Sequence, residues 1–280
     1  MTVRPGVRAS WLGTSAARPE TSPLTAATGS RPLVLMYHGI GQRAAAADPY
    51  NLFVPAADLA VHLTCLLERG WRPLRLAEYL AGGLGPRRFL VTFDDGYRSV
   101  HDVALPLLAE LAVPATVFVC SGMLGGTSRW MPEMPTEQLV TADDVVALHA
   151  SGFDIGLHGL DHTLLPGLPA EQLRRQTGLA AELLAQVTGE WPRAFAYPGG
   201  AHDAAARAAV AAAGMRAGFT THSKAGPFGV SRIDINSTDT SLTFRLKTAR
   251  GYRPLRRAAG ALPGLRPALH ALLGSARPAR

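Results

Sequence analysis

The sequence predicts an α/β fold built on a parallel sheet. Three observations carry that expectation. Short apolar runs alternate with amphipathic stretches from Arg31 to Ile235. The runs are apolar at consecutive positions, as strands covered on both faces are. Polar clusters stand directly after four of them, where parallel α/β folds place their active sites. Right-handed crossovers leave two architectures, an open doubly wound sheet or a closed barrel. No Gly-x-Gly-x-x-Gly follows the first strand, which weighs against a dinucleotide fold.

Leu33 to Tyr37 (LVLMY) is the first strand. Ala56 to Arg69 sets Leu59, Leu63, Leu66 and Leu67 on one helical face, with Gly70 able to end that helix. Phe89 to Phe93 is a second strand. Ser99 to Leu111 reads as a helix whose boundary is blurred by Pro106. Ala115 to Cys120 is a strand, Ala142 to Ala150 a helix closed by Ser151-Gly152, and Phe153 to Leu157 a strand. Pro169 to Val187 is a long amphipathic helix ending near Gly189. Ala194 to Tyr197 is a strand, Ala201 to Ala213 a helix, and Ala217 to Thr221 and Arg232 to Ile235 the last strands. No repeat of fixed period is present.

The 280 residues are 47% hydrophobic and 18% charged, with a mean hydropathy of +0.09, enough for a sizeable core and unlike a disordered or collagen-like chain. No apolar run reaches the roughly 18 residues a spanning helix needs. Two cysteines, Cys65 and Cys120, exclude a disulfide scaffold and a Cys-rich zinc site. The net charge of +7 belongs to the ends: nine Arg or Lys and no acid follow Asp239, residues 1–32 carry +3, and the middle is left at −5. A nucleic-acid surface needs cations clustered on a folded face, so no nucleic-acid partner is expected. Residues 1–30 lack an apolar signal core and read as a flexible tail, 31–240 as one catalytic domain, and 241–280 as a basic appendage with four prolines. The appendage offers a membrane contact as the lesser alternative to a solvated tail. Without an export signal the expected location is cytoplasmic, or extracellular or cell-surface if the start site is misassigned.

Four motifs can carry chemistry. Thr92-Phe93-Asp94-Asp95-Gly96-Tyr97 puts two adjacent carboxylates at a strand end, where one can ligate a metal while the other stays free as a base; a helix N-cap is the plainer reading. His158-Gly159-Leu160-Asp161-His162 spaces two imidazoles four apart, able to converge on one ion or to lie on the surface. Ala196-Tyr197-Pro198-Gly199-Gly200 brings bare backbone N–H groups to a strand end, or is a simple turn. Tyr37-His38-Gly39-Ile40 ends the first strand.

In that order and spacing, with 63 residues from Asp95 to His158, the motifs resemble those of the polysaccharide deacetylase family with its NodB homology domain, carbohydrate esterase family four. The resemblance covers about residues 31–237, and the early YHGI is similar to the subgroup acting on poly-N-acetylglucosamine. It implies a distorted (β/α) barrel of about seven parallel strands and a hydrolase that removes N-acetyl groups from an amino-sugar glycan, releasing acetate. By position, Asp95, His158 and His162 would hold a divalent metal, most often zinc. Asp94 would be the general base, His38 the general acid and Gly199 the oxyanion donor. Apart from the resemblance, Tyr197, Trp130 and Trp191 are able to stack on a sugar, core or rim packing being the commoner role of each. Four departures stand out: Gly159 where the family usually has Ser or Thr, Ala196 where many members carry the Arg that orients the base, Gly199 in place of an aromatic, and no late Leu-x-His. They keep two alternatives open, an inactive glycan-binding relative and an amidohydrolase of a small non-glycan amide.

Overall fold

The computed structural model describes residues 32–82, 85–221, 226–249 and 252. The predicted N-terminal tail and the basic appendage beyond 249, Tyr252 apart, lie outside the described residues. In chain order the elements are β1 (Leu33–Tyr37), β2 (Gly39–Ile40), β3 (Phe53–Val54), α1 (Ala56–Glu68), β4 (Arg72–Pro73), α2 (Leu76–Leu80) and β5 (Arg88–Phe93). There follow α3 (Leu105–Glu110), β6 (Ala115–Val119), α4 (Ala142–Ala150), β7 (Asp154–Leu157), α5 (Ala170–Arg174) and α6 (Ala180–Thr188). The chain continues through β8 (Ala194–Ala196), α7 (Ala204–Ala212), β9 (Ala217–Thr220), β10 (Val230–Ser231), β11 (Ile233–Asp234) and α8 (Ser241–Lys247). No helix among the described residues is long and apolar enough to cross a membrane.

The main sheet runs β10-β9-β8-β7-β6-β5-β1-β11, every pair parallel, with β4 added beside β5. Its two edges are a single extended segment. Val230 and Ser231 pair with β9, and Ile233 and Asp234 pair with β1, with Arg232 alone between them. The barrel is therefore closed by one bent stave, and counting that stave once gives the seven expected. Arg232 keeps the ladder through the bend, its N–H donating to the Thr220 carbonyl at 3.0 Å.

Two expected helices are interrupted for identifiable reasons. Pro106 has no N–H to give to the carbonyl four residues back. The chain absorbs this with a π turn at Val100–Ala104, where the Leu105 N–H reaches the Val100 carbonyl, and α3 starts beyond it. A second π turn, Arg175–Leu179, joins α5 to α6, and Gly189 ends α6 in the left-handed conformation at φ 74°. The short α2, five residues long, gives no readable period in the sequence.

Period-two alternation sorts the strand side chains into two groups. Leu33, Leu35, Tyr37, Phe89, Val91, Phe93, Val117 and Val119 pack outward against the helices. Val34, Leu90, Phe118, Ala196 and Phe219 fill the barrel, and Leu76, Tyr79 and Leu80 of α2 join them. The Leu76 N–H donates to Asp154 Oδ2, at the start of β7, so α2 plugs the N-terminal end. Gly156 makes the filling work: a Cβ there would stand 2.4 Å from the Phe118 ring. Continuing the inward parity past the strand ends carries His38, Asp94 and His158 to the carboxyl mouth, together with Arg232 of the closing stave.

The predicted boundary at 240 cuts through packed structure. Lys247 of α8 is fully buried and donates to Asp239 Oδ2 at 2.7 Å. Phe244 of the same helix stacks on His62 of α1, with ring centroids 4.3 Å apart. Residues 241–247 thus belong to the barrel rather than to an appendage.

Candidate metal centre

The two adjacent aspartates after β5 have different partners. Asp95, 3% exposed, turns at a left-handed φ of 71°, a conformation that costs a non-glycine residue on the order of 1–3 kcal/mol. The turn swings its Oδ1 to 3.1 Å from His158 Nε2 and 3.2 Å from His162 Nε2. His162 is itself left-handed at φ 65°. Ligand atoms of these three residues lie within 4.8 Å of one another, forming the only such His/Cys/Asp/Glu cluster among the described residues.

The protons at this cluster call for a cation. His158 Nδ1 lies 2.8 Å from the Ala196 carbonyl, which can only accept, so Nδ1 carries the hydrogen. In the neutral ring Nε2 is then a lone pair aimed at the Asp95 carboxylate, an arrangement that needs a positive charge between them. A bound divalent ion meets that need, and the Nδ1–carbonyl bond is the kind of outer partner that orients metal-binding imidazoles. Without one, a second proton on His158 does so: burial opposes it, but Asp94 and Asp95 raise the imidazole above its usual range. Burial would likewise raise the Asp95 carboxyl, yet the hydrogen bonds from both imidazoles hold it well below the usual range. Burial lowers His162. One carboxylate and two imidazoles make a catalytic-zinc type of donor set with room for a fourth ligand.

Asp94, also 3% exposed, is held by Arg232. The guanidinium, 2% exposed, donates Nη1 to Oδ1 and Nη2 to Oδ2, each at 2.6 Å, and Nη1 also reaches Thr92 Oγ1 at 3.1 Å. Burial would raise the Asp94 carboxyl; the Arg232 charge, with His158 and His38, overcomes it and keeps the group ionised below its usual range. Asp94 is thus paired with an arginine of the closing stave, 138 residues away, while position 196 is an alanine. Likewise Gly159, at φ +88°, is braced by Gln176. Its Oε1 accepts from the Leu160 N–H at 2.8 Å and its Nε2 donates to Asp161 Oδ1 at 2.7 Å. Gln176 comes from the π turn after α5 and is 3% exposed.

The remaining expected residues divide. His38 directly follows β1 and is half-buried, and strand parity turns it to the mouth where the cluster lies. Gly199 sits in the turn Pro198–Gly200 after β8, at φ 61°. Tyr197 does not contact the site. Its neighbour Ala196 faces into the barrel, so Tyr197 faces out, fully buried, with its hydroxyl donating to the Phe228 carbonyl at 3.0 Å. One aromatic does reach the cluster: Trp130, from the β6–α4 loop, stacks on the His162 ring at 4.4 Å and 14°.

Residues 81–218, which enclose TFDDGY, HGLDH and AYPGG, match the family model for polysaccharide deacetylases. The chain belongs to the polysaccharide deacetylase family. It is 25% identical over 213 residues to YxkH of Bacillus subtilis (strain 168), named for polysaccharide deacetylases, across 72% of this chain and 71% of that one. The barrel superposes on IcaB from Ammonifex degensii with a TM-score of 0.66 at 25% identity, covering 79% of this chain and 98% of that. It also superposes on the Streptococcus pyogenes deacetylase PplD, solved with acetate, with a TM-score of 0.70 at 20% identity, covering 79% and 100%. The deacetylase is thus a hydrolase of a family acting on acetylated polysaccharides, with the family's barrel and a candidate Asp-His-His metal site.

Proposed function

We propose that this deacetylase removes N-acetyl groups from an N-acetylglucosamine-type glycan, with Asp95, His158 and His162 holding a divalent metal, most simply zinc. The observation that carries the reading is the division of the aspartate pair: one carboxylate is shared by two imidazoles, the other by a buried guanidinium. When bound, the ion supplies the Lewis acidity that polarises a carbonyl and acidifies water. Asp94, kept ionised and fixed by Arg232, takes the proton of the attacking water at the acetamide carbon. In this reading the Gly199 N–H meets the developing oxyanion, a donor of a kind worth about 2.7–4 kcal/mol. His38, protonated, gives a proton to the leaving sugar amine. The products are acetate and a free amino sugar. The early YHGI, similar to the subgroup acting on poly-N-acetylglucosamine, favours an amino-sugar polymer over a small amide, and the Arg232–Asp94 pair favours an active enzyme over an inactive glycan binder.

The test is acetate release from N-acetylglucosamine oligomers, with and without chelator and added zinc. Release that stops with chelator and returns with metal is expected. Asp94→Asn should bind metal in full and release almost none, whereas Asp95→Ala should lose metal as well. Equal metal content and equal turnover in the two variants would refute the division of roles.

A further inference from the structure

We propose that the N-terminal end of the barrel carries a second binding site, for a single sugar ring. The choice of sugar rests on the glycan reading above; the cavity does not. A cavity of about 270 Å³ lies where α2 meets the starts of β7 and β8, bordered by Arg75, His149, Asp154, Glu190, Trp191 and Arg193. That is just under the roughly 300 Å³ at which small-molecule pockets begin, room for one ring and not for a chain of them.

The border has the chemistry of a saccharide site. Trp191 is half-buried, and its Nε1 donates to the Ala213 carbonyl at 3.0 Å, which holds the indole in place. A fixed indole gives the C–H face of a pyranose an apolar surface with polar groups at its edge. Glu190, Arg75 and Arg193 present planar, paired acceptors or donors, Asp154 adds the carboxylate oxygen opposite the one bonded to the Leu76 N–H, and neighbouring hydroxyls on a sugar both donate and accept. Among the described residues neither Arg75 nor Arg193 is in an ion pair. His149 Nδ1 is buried with no hydrogen-bond partner, and its Nε2 is 4.0 Å from Glu190. Two guanidiniums stand against two carboxylates, so the charged groups of the border balance and favour no ion of either sign. A neutral ligand rich in hydroxyls matches it better than phosphate or a carboxylate.

The site is not an extension of the catalytic mouth. Asp154 begins β7 and His158 follows its end, so the two lie about 13 Å apart along one strand at ~3.3 Å per residue, on opposite faces of the barrel. A ring held there anchors a distant stretch of the glycan, or a second strand of it, while the mouth works on another.

The test is NMR of the indole N–H of Trp191 in the full chain, assigned with Trp191→Phe, during titration with N-acetylglucosamine, glucosamine and inorganic phosphate. A saturable shift with sugar is expected, absent with phosphate. Arg193→Ala should weaken it at least tenfold and leave acetate release from short oligomers unchanged; Arg75→Ala serves if the first variant fails to fold. No sugar-dependent shift at Trp191, in protein that releases acetate, overturns the second site and leaves the catalytic reading standing. So does a shift that survives both arginine variants. A shift with phosphate and none with sugar overturns the ligand assignment. A Trp191 shift with no acetate release supports the second site and counts against the catalytic reading alone.

Discussion

Arg232 is the residue whose removal says most about how the site is held. It is 2% exposed and makes two charge-assisted bonds of 2.6 Å to Asp94, which is 3% exposed. Arg232→Met keeps much of the volume but leaves a buried carboxylate unpaired. Breaking a buried pair from one side costs about 3–5 kcal/mol. Asp94→Asn strands the guanidinium in the same way and should cost a similar amount. The double variant removes both charges, so its loss should be smaller than the sum of the two by at least ~2 kcal/mol. Arg232→Lys restores the charge as a single point without the planar fork, and should recover part of the stability. Its Asp94 is then held by one bond rather than two and is free to swing. A displacement of about 1 Å at a reacting group costs on the order of 10²-fold, so acetate release should fall by that order while the protein stays folded. Denaturant unfolding of the four proteins supplies the cycle, and turnover of the lysine variant supplies the second readout. Additive losses in the cycle, or full turnover in Arg232→Lys, would refute the claim that the closing stave positions the base.

Three further outcomes follow from the same geometry. His38→Ala should leave metal content intact and lower turnover by roughly 10²–10⁴-fold, measured as acetate release at saturating metal; unchanged turnover would remove His38 from the reaction. Trp130→Ala should weaken metal affinity by about 10–100-fold by releasing the His162 ring, and Trp130→Phe should recover most of it in a competition titration with a chromophoric chelator. His62 makes the fold sensitive to acid. Its Nε2 donates to the Asp239 carbonyl at 3.3 Å and its Nδ1 faces the Tyr37 hydroxyl at 3.4 Å. Burial and the Lys247 charge lower its affinity for protons, against the carbonyl of Asp239 and the charge of Asp58, which raise it. The unfolded chain then binds more protons than the folded one below about pH 6.5, so stability falls on acidification, by at most ~1.4 kcal/mol per pH unit from this group. His62→Gln should flatten that part of the slope in unfolding curves taken from pH 7 to pH 5, and an unchanged slope would assign the sensitivity elsewhere.

What could be read from the sequence was whatever is local. The strand runs, the two aspartates after Phe93 and the His pair after Leu157 are each contained in a few residues, and parity then brings their side chains to one mouth. The same parity takes Tyr197 away from that mouth, since one step past Ala196 turns a side chain from the barrel interior to the helical layer. Arg232 was out of reach for a different reason. It belongs with Asp94 only because the last stave bends at that residue to meet β9 on one side and β1 on the other, a closure across the whole fold. Gln176 is similar: its place beside Gly159 depends on a π turn that shifts the helix register by one residue, and no composition signals that. Both side chains do work the family motifs place elsewhere, at a Ser or Thr after the first metal His and at an Arg before the Pro-containing turn. A motif fixes which atoms must be held. The holding groups are constrained only by where their tips arrive, so a guanidinium or an amide entering from a different strand or helix satisfies the same carboxylate and the same loop. Departures from the motif at Gly159 and Ala196 are thus compensated in space, and the buried charge on Asp94, which needs a partner wherever it comes from, is the physical reason such compensation is required at all.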